Sequence, residues 1–257
     1  MILVVDIGNT NIVVGIYKED ELIGSWRMVT RSEKTSDEYG VFILSLLSYN
    51  NIDYKEINGA IVSSVVPNLM HSFENALKKY FNVNPFIVGP GIKTGIIVSA
   101  ENPNKVGADR IVNIVAAYEQ YRCPLIVIDF GTATTYDVVS KDGEFKYGVI
   151  SPGIGITADA LWKRTAQLPS IEIKKTPSIL AKNTITSMQA GLVYGYIGQV
   201  EYIVKKIKEE LGNENMKVIA TGGLGRLISD ETTSIDVYDS QLMLKGLKIL
   251  HDKNIDR

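Results

Sequence analysis

The residues of this chain best suited to chemistry are two aspartates, each closing an apolar run and opening a glycine turn. Leu3 to Ile16 read Leu-Val-Val-Asp-Ile-Gly-Asn-Thr-Asn-Ile-Val-Val-Gly-Ile, and Ile126 to Val139 read Ile-Val-Ile-Asp-Phe-Gly-Thr-Ala-Thr-Thr-Tyr-Asp-Val-Val. Asp129 stands 123 residues after Asp6, and Gly131 the same distance after Gly8. Solenoid periods run roughly 20 to 50 residues, so this duplication reads as two similar domains. In each copy glycine permits the positive φ of a tight turn and lets an anion approach the backbone. Asn9, Thr10 and Asn11 in the first copy, and the threonines from Thr132 in the second, add donors suited to anionic oxygens. A carboxylate at a strand end can hold magnesium, directly or through its waters. One such turn alone would read as an ordinary hairpin. Its recurrence points to phosphate binding, with a nucleotide triphosphate held between two turns that face each other. Two acids in equivalent places suggest a different ion at each.

Two further groups of residues add to this. Thr221-Gly222-Gly223-Leu224-Gly225-Arg226 follows an apolar run, and its glycine pair leaves room for a flat ring or ribose against the backbone. Gly107-Ala108-Asp109-Arg110 opens a helical pattern, where a carboxylate and a guanidinium can orient a hydroxyl and neutralise phosphate. Lys93-Thr94 resembles the end of a P-loop, but Ile92 stands where glycine is required. Gly153-Ile154-Gly155-Ile156-Thr157-Ala158 matches a loose dinucleotide fingerprint. A Ser-Pro step separates it from the preceding strand and no acid closes a ribose-binding strand, so it is set aside as a cofactor box. His71 and His251 fall on helical stretches far from these motifs and do not read as a metal pair.

The elements that must carry these residues alternate. Strands are expected at 2–5, 12–17, 60–63, 85–88, 126–128, 135–139 and 218–220, from short β-branched runs. Helices are expected from Ser36, from Pro67 to Tyr80, from Gly107 to Tyr121, from Thr184 to Leu211 with Gly212 as stop, and from Gln241 to Lys253. Residues 167–183, with Pro169 and Pro177, read as a loop. This is an α/β pattern with mixed sheets. The domain boundary falls between Asn102 and Tyr121, giving domains 1–110 and 111–257. The chain has 257 residues, 45% apolar and 22% charged, and a net charge of −2, so no basic field attracts nucleic acid. No apolar run approaches the roughly 18 residues of a membrane span. The N-terminus has no secretory signal pattern, and Cys123, the single cysteine, reads as a structural thiol. These features point to the cytoplasm.

The order Asp-x-Gly-Asn-Thr-Asn, Gly-Ala-Asp-Arg, Asp-Phe-Gly-Thr-Ala-Thr-Thr and Thr-Gly-Gly-Leu resembles that of type III pantothenate kinases. These belong to the acetate-kinase, sugar-kinase, heat-shock-70 and actin superfamily. The likeness runs from Asp6 to about Arg226, with Asp37-Glu38-Tyr39 and Asn183-Thr184 also similar. It implies two ribonuclease-H-like domains around an interdomain nucleotide cleft. It implies ATP-dependent phosphorylation of pantothenate to 4'-phosphopantothenate, the first step of coenzyme A biosynthesis. Asp6, Ile7, Gly8, Asn9, Thr10, Asn11, Ile12 and Val13 would bind the ATP phosphates, with magnesium at Asp6. Thr132, Gly222 and Gly223 would also contact ATP, and Asp129 would hold potassium or ammonium. Gly107, Ala108, Asp109 and Arg110 would bind pantothenate, with Asp109 taking the proton. Thr184 would reach pantothenate from the partner subunit of a homodimer. The chain departs from the family at Ala100, where relatives carry tyrosine. A stacking wall is lost there or comes from elsewhere. Alternatives are another small-molecule kinase or phosphohydrolase of the superfamily, and a non-enzymatic nucleotide-gated scaffold.

Overall fold

The computed structural model describes residues 1–31 and 33–255. Its elements begin with β1 (Ile2–Ile7), β2 (Asn11–Lys18), β3 (Glu21–Val29), α1 (Ser36–Tyr49), β4 (Gly59–Ser64), α2 (Pro67–Phe81), β5 (Phe86–Ile87), β6 (Ile97–Val98) and α3 (Ala108–Tyr121). They continue with β7 (Leu125–Phe130), β8 (Ala133–Val139), β9 (Glu144–Pro152), α4 (Ile154–Lys163), α5 (Thr184–Leu211), β10 (Lys217–Thr221), α6 (Gly225–Ser229), β11 (Val237–Tyr238) and α7 (Leu242–Asp252). Two compact units form. One comprises Met1–Gly95, Glu101–Ala116 and Leu242–Arg257, the other Ile96–Ala100 and Ala117–Gln241. These units differ from the expected 1–110 and 111–257 in three respects. Residues 96–100 join the second unit, the division falls inside α3, and α7 returns to the first unit. Leu242, Leu244, Leu247 and Leu250 are buried, and α7 packs on β1 and β4, which draws the C-terminus back.

The first unit has a five-stranded sheet in the order β3-β2-β1-β4-β5. β1, β2 and β3 run antiparallel in sequence, while β4 and β5 are parallel to β1. Alternation along β1 sends Leu3, Val5 and Ile7 into a core with Tyr39, Ile43 and Leu47 of α1 and Leu69, Phe73 and Leu77 of α2. Each fully buried aliphatic side chain contributes about 1.5–3 kcal/mol. α1 begins at Ser36 as expected, with a capping box between Thr35 and Glu38, and Pro67 sits at the start of α2. α7 covers the other face. A side chain at Gly15 would lie 3.2 Å from Leu244, and one at Gly59 would lie 2.5 Å from His251 Nε2.

The second unit repeats the plan. Its sheet runs β11-β10-β7-β8-β9-β6, with β7, β8 and β9 antiparallel in sequence and β10 and β11 parallel to β7. Apart from β6, this is the order of the first sheet. Ile126, Ile128, Phe130, Tyr136 and Val138 pack with Val193, Tyr196, Ile197 and Val200 of α5. α5 has 28 residues, is capped by Asn183 and stops at left-handed Gly212; at 1.5 Å per residue it is about 42 Å long. The β3 and β9 strands lay outside the expected set. β3 alternates Glu21, Ser25 and Arg27 with partly buried residues, and most of β9 is exposed, so neither carries a strong apolar signal. The set-aside segment from Gly153 is the cap and first turn of α4. No helix among the described residues is long and apolar enough to cross a membrane.

Candidate active site

In the first unit the turn after β1 is closed by three hydrogen bonds. Gly8 N donates to Asn11 O at 3.0 Å, Thr30 N to Thr10 O at 3.0 Å, and Thr30 Oγ1 to Gly8 O at 2.7 Å. Thr30, just beyond β3, was not expected from the sequence; only the finished meander brings it over the turn. Gly8 and Gly131 do not adopt the positive φ anticipated for them. Their backbones instead come close to a carbonyl. A side chain would stand 3.1 Å from Asn11 O at Gly8 and 3.3 Å from Ala133 O at Gly131. Asn9 and Thr10 form the exposed tip, and Asp6, Asn11 and Val13 are partly exposed. Ile7 and Ile12 are fully buried in the core, so only their backbone can meet a ligand.

The start of α3 belongs to the same unit. Val65, in the loop after β4, donates its N–H to Ile7 O at 3.1 Å, and Gly107 lies beside Val65. The Gly107–Arg110 motif is thereby brought to the end of β1. Its glycine has a steric reason: a side chain at Gly107 would collide with Asp109 Oδ1. That oxygen accepts a hydrogen bond from Arg110 N at 2.8 Å, so the carboxylate folds back over its own helix start. Burial pushes the Asp109 carboxyl above the usual carboxylate range, against the pull of the Arg110 N–H and guanidinium. A carboxylate made more basic by burial is suited to accept a proton.

The second unit gathers a different set. A side chain at Gly222, which has a φ of +97°, would meet Phe130 O at 2.6 Å and Asp129 Oδ1 at 2.7 Å. One carboxylate and one carbonyl oxygen therefore converge on this glycine. Hard oxygen donors of this type fit an alkali cation or a hydrated divalent one. Gly222 O accepts from Tyr238 Oη at 2.8 Å, which fixes the loop. Gly153 N donates to Thr132 O at 3.1 Å, and any side chain at Gly153 would strike Gly131 O and Thr132 O. Thr132 and Gly223 are exposed, and Thr184 is exposed in the first turn of α5. Among the described residues no group of three or more His, Cys, Asp or Glu side chains could hold a metal. A divalent ion at Asp6 would then complete its shell with phosphate oxygens and water, as magnesium commonly does.

A family model described as type III pantothenate kinase matches residues 2–206. The chain belongs to that family. The matched span includes Asp6, Gly107 to Arg110, Asp129, Thr132 and Thr184, and ends before Gly222. A type III pantothenate kinase of Agathobacter rectalis is 56% identical over 253 residues, covering 98% of this chain and 97% of the relative. Solved structures show the same fold at much lower identity. One, described as a 2-dehydro-3-deoxygalactonokinase of Sinorhizobium meliloti, has a TM-score of 0.67 at 11% identity, covering 100% of this chain and 98% of that one. Another, described as a Baf family transcriptional activator of Campylobacter jejuni, has a TM-score of 0.61 at 18% identity, covering 99% and 100%. The α/β fold with two mixed sheets is thus shared with small-molecule kinases.

Proposed function

We propose that this chain is a pantothenate kinase, transferring the terminal phosphoryl group of ATP to the primary hydroxyl of pantothenate in coenzyme A biosynthesis. The observation that carries the reading is the 56% identity to a type III pantothenate kinase across nearly the whole of both chains. The transition state of phosphoryl transfer is loose, so positioning and charge neutralisation contribute most. The backbone of residues 6–13 receives the ATP phosphates, with Thr132, Gly222 and Gly223 as further contacts. Asp6 would hold magnesium, directly or through its waters, and Asp129 with Phe130 O would hold potassium or ammonium. These ions would supply positive charge that offsets the charge of the transferring phosphates. Gly107 and Ala108 line the acceptor, and Asp109 orients its hydroxyl and takes the proton late. Arg110 steadies Asp109 through its N–H and faces the substrate's charge with its guanidinium. Thr184 serves the pantothenate of a neighbouring subunit.

The surface of α5 supports a homodimer. Gly191, Gly195 and Gly198 recur on one exposed face, and among the described residues no atom outside the neighbouring backbone of the helix lies within 4 Å of where their side chains would stand. Each glycine inside a helix costs about 0.5–1 kcal/mol relative to alanine, which a closely packed partner helix offsets. Sedimentation of Gly195→Glu against the parent tests this: a dimeric parent and a monomeric variant are expected, a monomeric parent would remove the dimer, and a variant that stays dimeric would remove α5 from its interface.

Radiolabelled pantothenate with ATP, magnesium and potassium, against a sodium control, tests the reaction. Product formation that needs pantothenate and prefers potassium is expected. ATP consumption of equal rate without pantothenate would assign the chain to the hydrolases instead.

A further inference from the structure

Ser63, in the first unit, is fully buried, and its Oγ has no hydrogen-bond partner among the described residues. Most buried polar side chains are paired, and an exception calls for a reason. The position of Ser63 supplies one. β1 and β4 are parallel, and Ser63 is the register partner of Asp6. Register partners project to the same face of a sheet from strands about 4.8 Å apart. Ala60 and Val62 of β4 turn into the core with α1 and α2, so Ser63 stands on the opposite face, with Asp6. Asp6 is partly exposed and Ser63 is not, which puts the hydroxyl deeper than the carboxylate.

The duplicated unit repeats the arrangement. Thr221 on β10 is the register partner of Asp129, and it is also buried. The residues around the two acids have otherwise diverged: Ile7 is matched by Phe130, and Asn9 by Thr132. A buried hydroxyl on the parallel neighbour strand accompanies the strand-end acid in both.

We infer that Ser63 is a positioning residue of the nucleotide half-site. Its buried hydroxyl acts through Asp6, donating to that carboxylate and fixing its direction when magnesium and ATP enter, and is left unpaired until then. This rests on the reading that Asp6 serves the ATP phosphates.

The test uses the full chain, with magnesium and the non-hydrolysable analogue AMP-PNP as probe. Affinity is measured by calorimetry, and melting is measured without nucleotide. Ser63→Ala is expected to bind the analogue about tenfold more weakly, the ratio that one hydrogen bond supplies. Its melting temperature without nucleotide stays the same or rises, because no bond is lost in the free protein. The KM for pantothenate stays unchanged. In an Asp6→Asn background the same substitution adds little, since Ser63 acts through the Asp6 carboxylate. Unchanged affinity in Ser63→Ala overturns the inference. A lowered melting temperature also overturns it, whatever the affinity, because the hydroxyl then has a structural partner. A parent that fails to bind the analogue overturns the ATP reading itself, and this inference with it.

Discussion

The two units build the same turn and surround it differently. In the first, the turn after Asp6 is closed by Thr30, and the loop after β4 brings Gly107 and Asp109 to its side. In the second, the strand-end acid meets Gly222 and Phe130 O, and Gly153 presses on Thr132. The shared part is the strand order, the acid, the glycine and the buried hydroxyl one strand over. The part that differs is what surrounds the turn: a buried carboxyl of raised pKa at Asp109 in one unit, and a carbonyl oxygen with the acid's own carboxylate converging on a glycine in the other. A duplicated scaffold can thus keep its turn while its flanks diverge.

The sharpest way to break this comparison is at Asp109. Asp109→Asn is expected to lower kcat by about 10² or more while leaving AMP-PNP affinity within about twofold. Unchanged turnover would leave the first unit with no base and the contrast empty. The same residue carries a pH signature. Its raised pKa means that activity falls as acidification protonates it, at a pH above the ordinary aspartate value of 3.8. The stability effect has the opposite sign. A carboxyl whose folded pKa is raised contributes stability below its unfolded value, which is lost as pH rises through the folded one. Asp109→Asn is therefore expected to melt higher than the parent at neutral pH, as calorimetry would show.

Exchanging the acids is next in size. Asp129→Asn is expected to remove most of the preference for potassium over sodium, a change of about tenfold in rate, with magnesium dependence kept. Asp6→Asn is expected to raise the magnesium requirement by about tenfold and keep the potassium preference. Steady-state rates over both salt series separate the two, and identical responses would erase the division of roles. Gly222→Ala probes the backbone that the second unit alone requires. At a φ of +97° and against two oxygens, it should cost about 1–3 kcal/mol in stability and weaken the cation response. Gly8→Ala, at a negative φ and 3.1 Å from Asn11 O, should cost less than that.

The smallest effect lies at His251. Burial holds its imidazole below the ordinary value of 6.5, against the partial pull of Asp252. The stability from a histidine kept neutral is present above the unfolded value and is lost as pH falls from 6.5 through the folded one. Replacing His251 with glutamine should flatten the acid limb of thermal melting in that window. An equally steep limb would place the acid sensitivity elsewhere.

Much of this was legible in the residues alone. Alternating apolar runs mark β1, β2, β4, β7, β8 and β10, and caps and stops mark α2 and α5, because burial and capping are local and periodic. The duplication and the family motifs point to nucleotide and acceptor residues without any coordinates. β3, β9 and α4 were not legible, since their partly exposed surfaces write no apolar signal. Nor were Thr30 and Ser63, whose meaning comes from residues far away in the chain. The types and order of the groups that can do chemistry were settled by the sequence. Which hydroxyl lies beside which acid, why Gly107 and Gly222 must lack a side chain, and how far Asp109 is removed from water were decided only by the tertiary structure. Strand register, close approach and desolvation are properties of neighbours in space, and a linear pattern does not encode them one residue at a time.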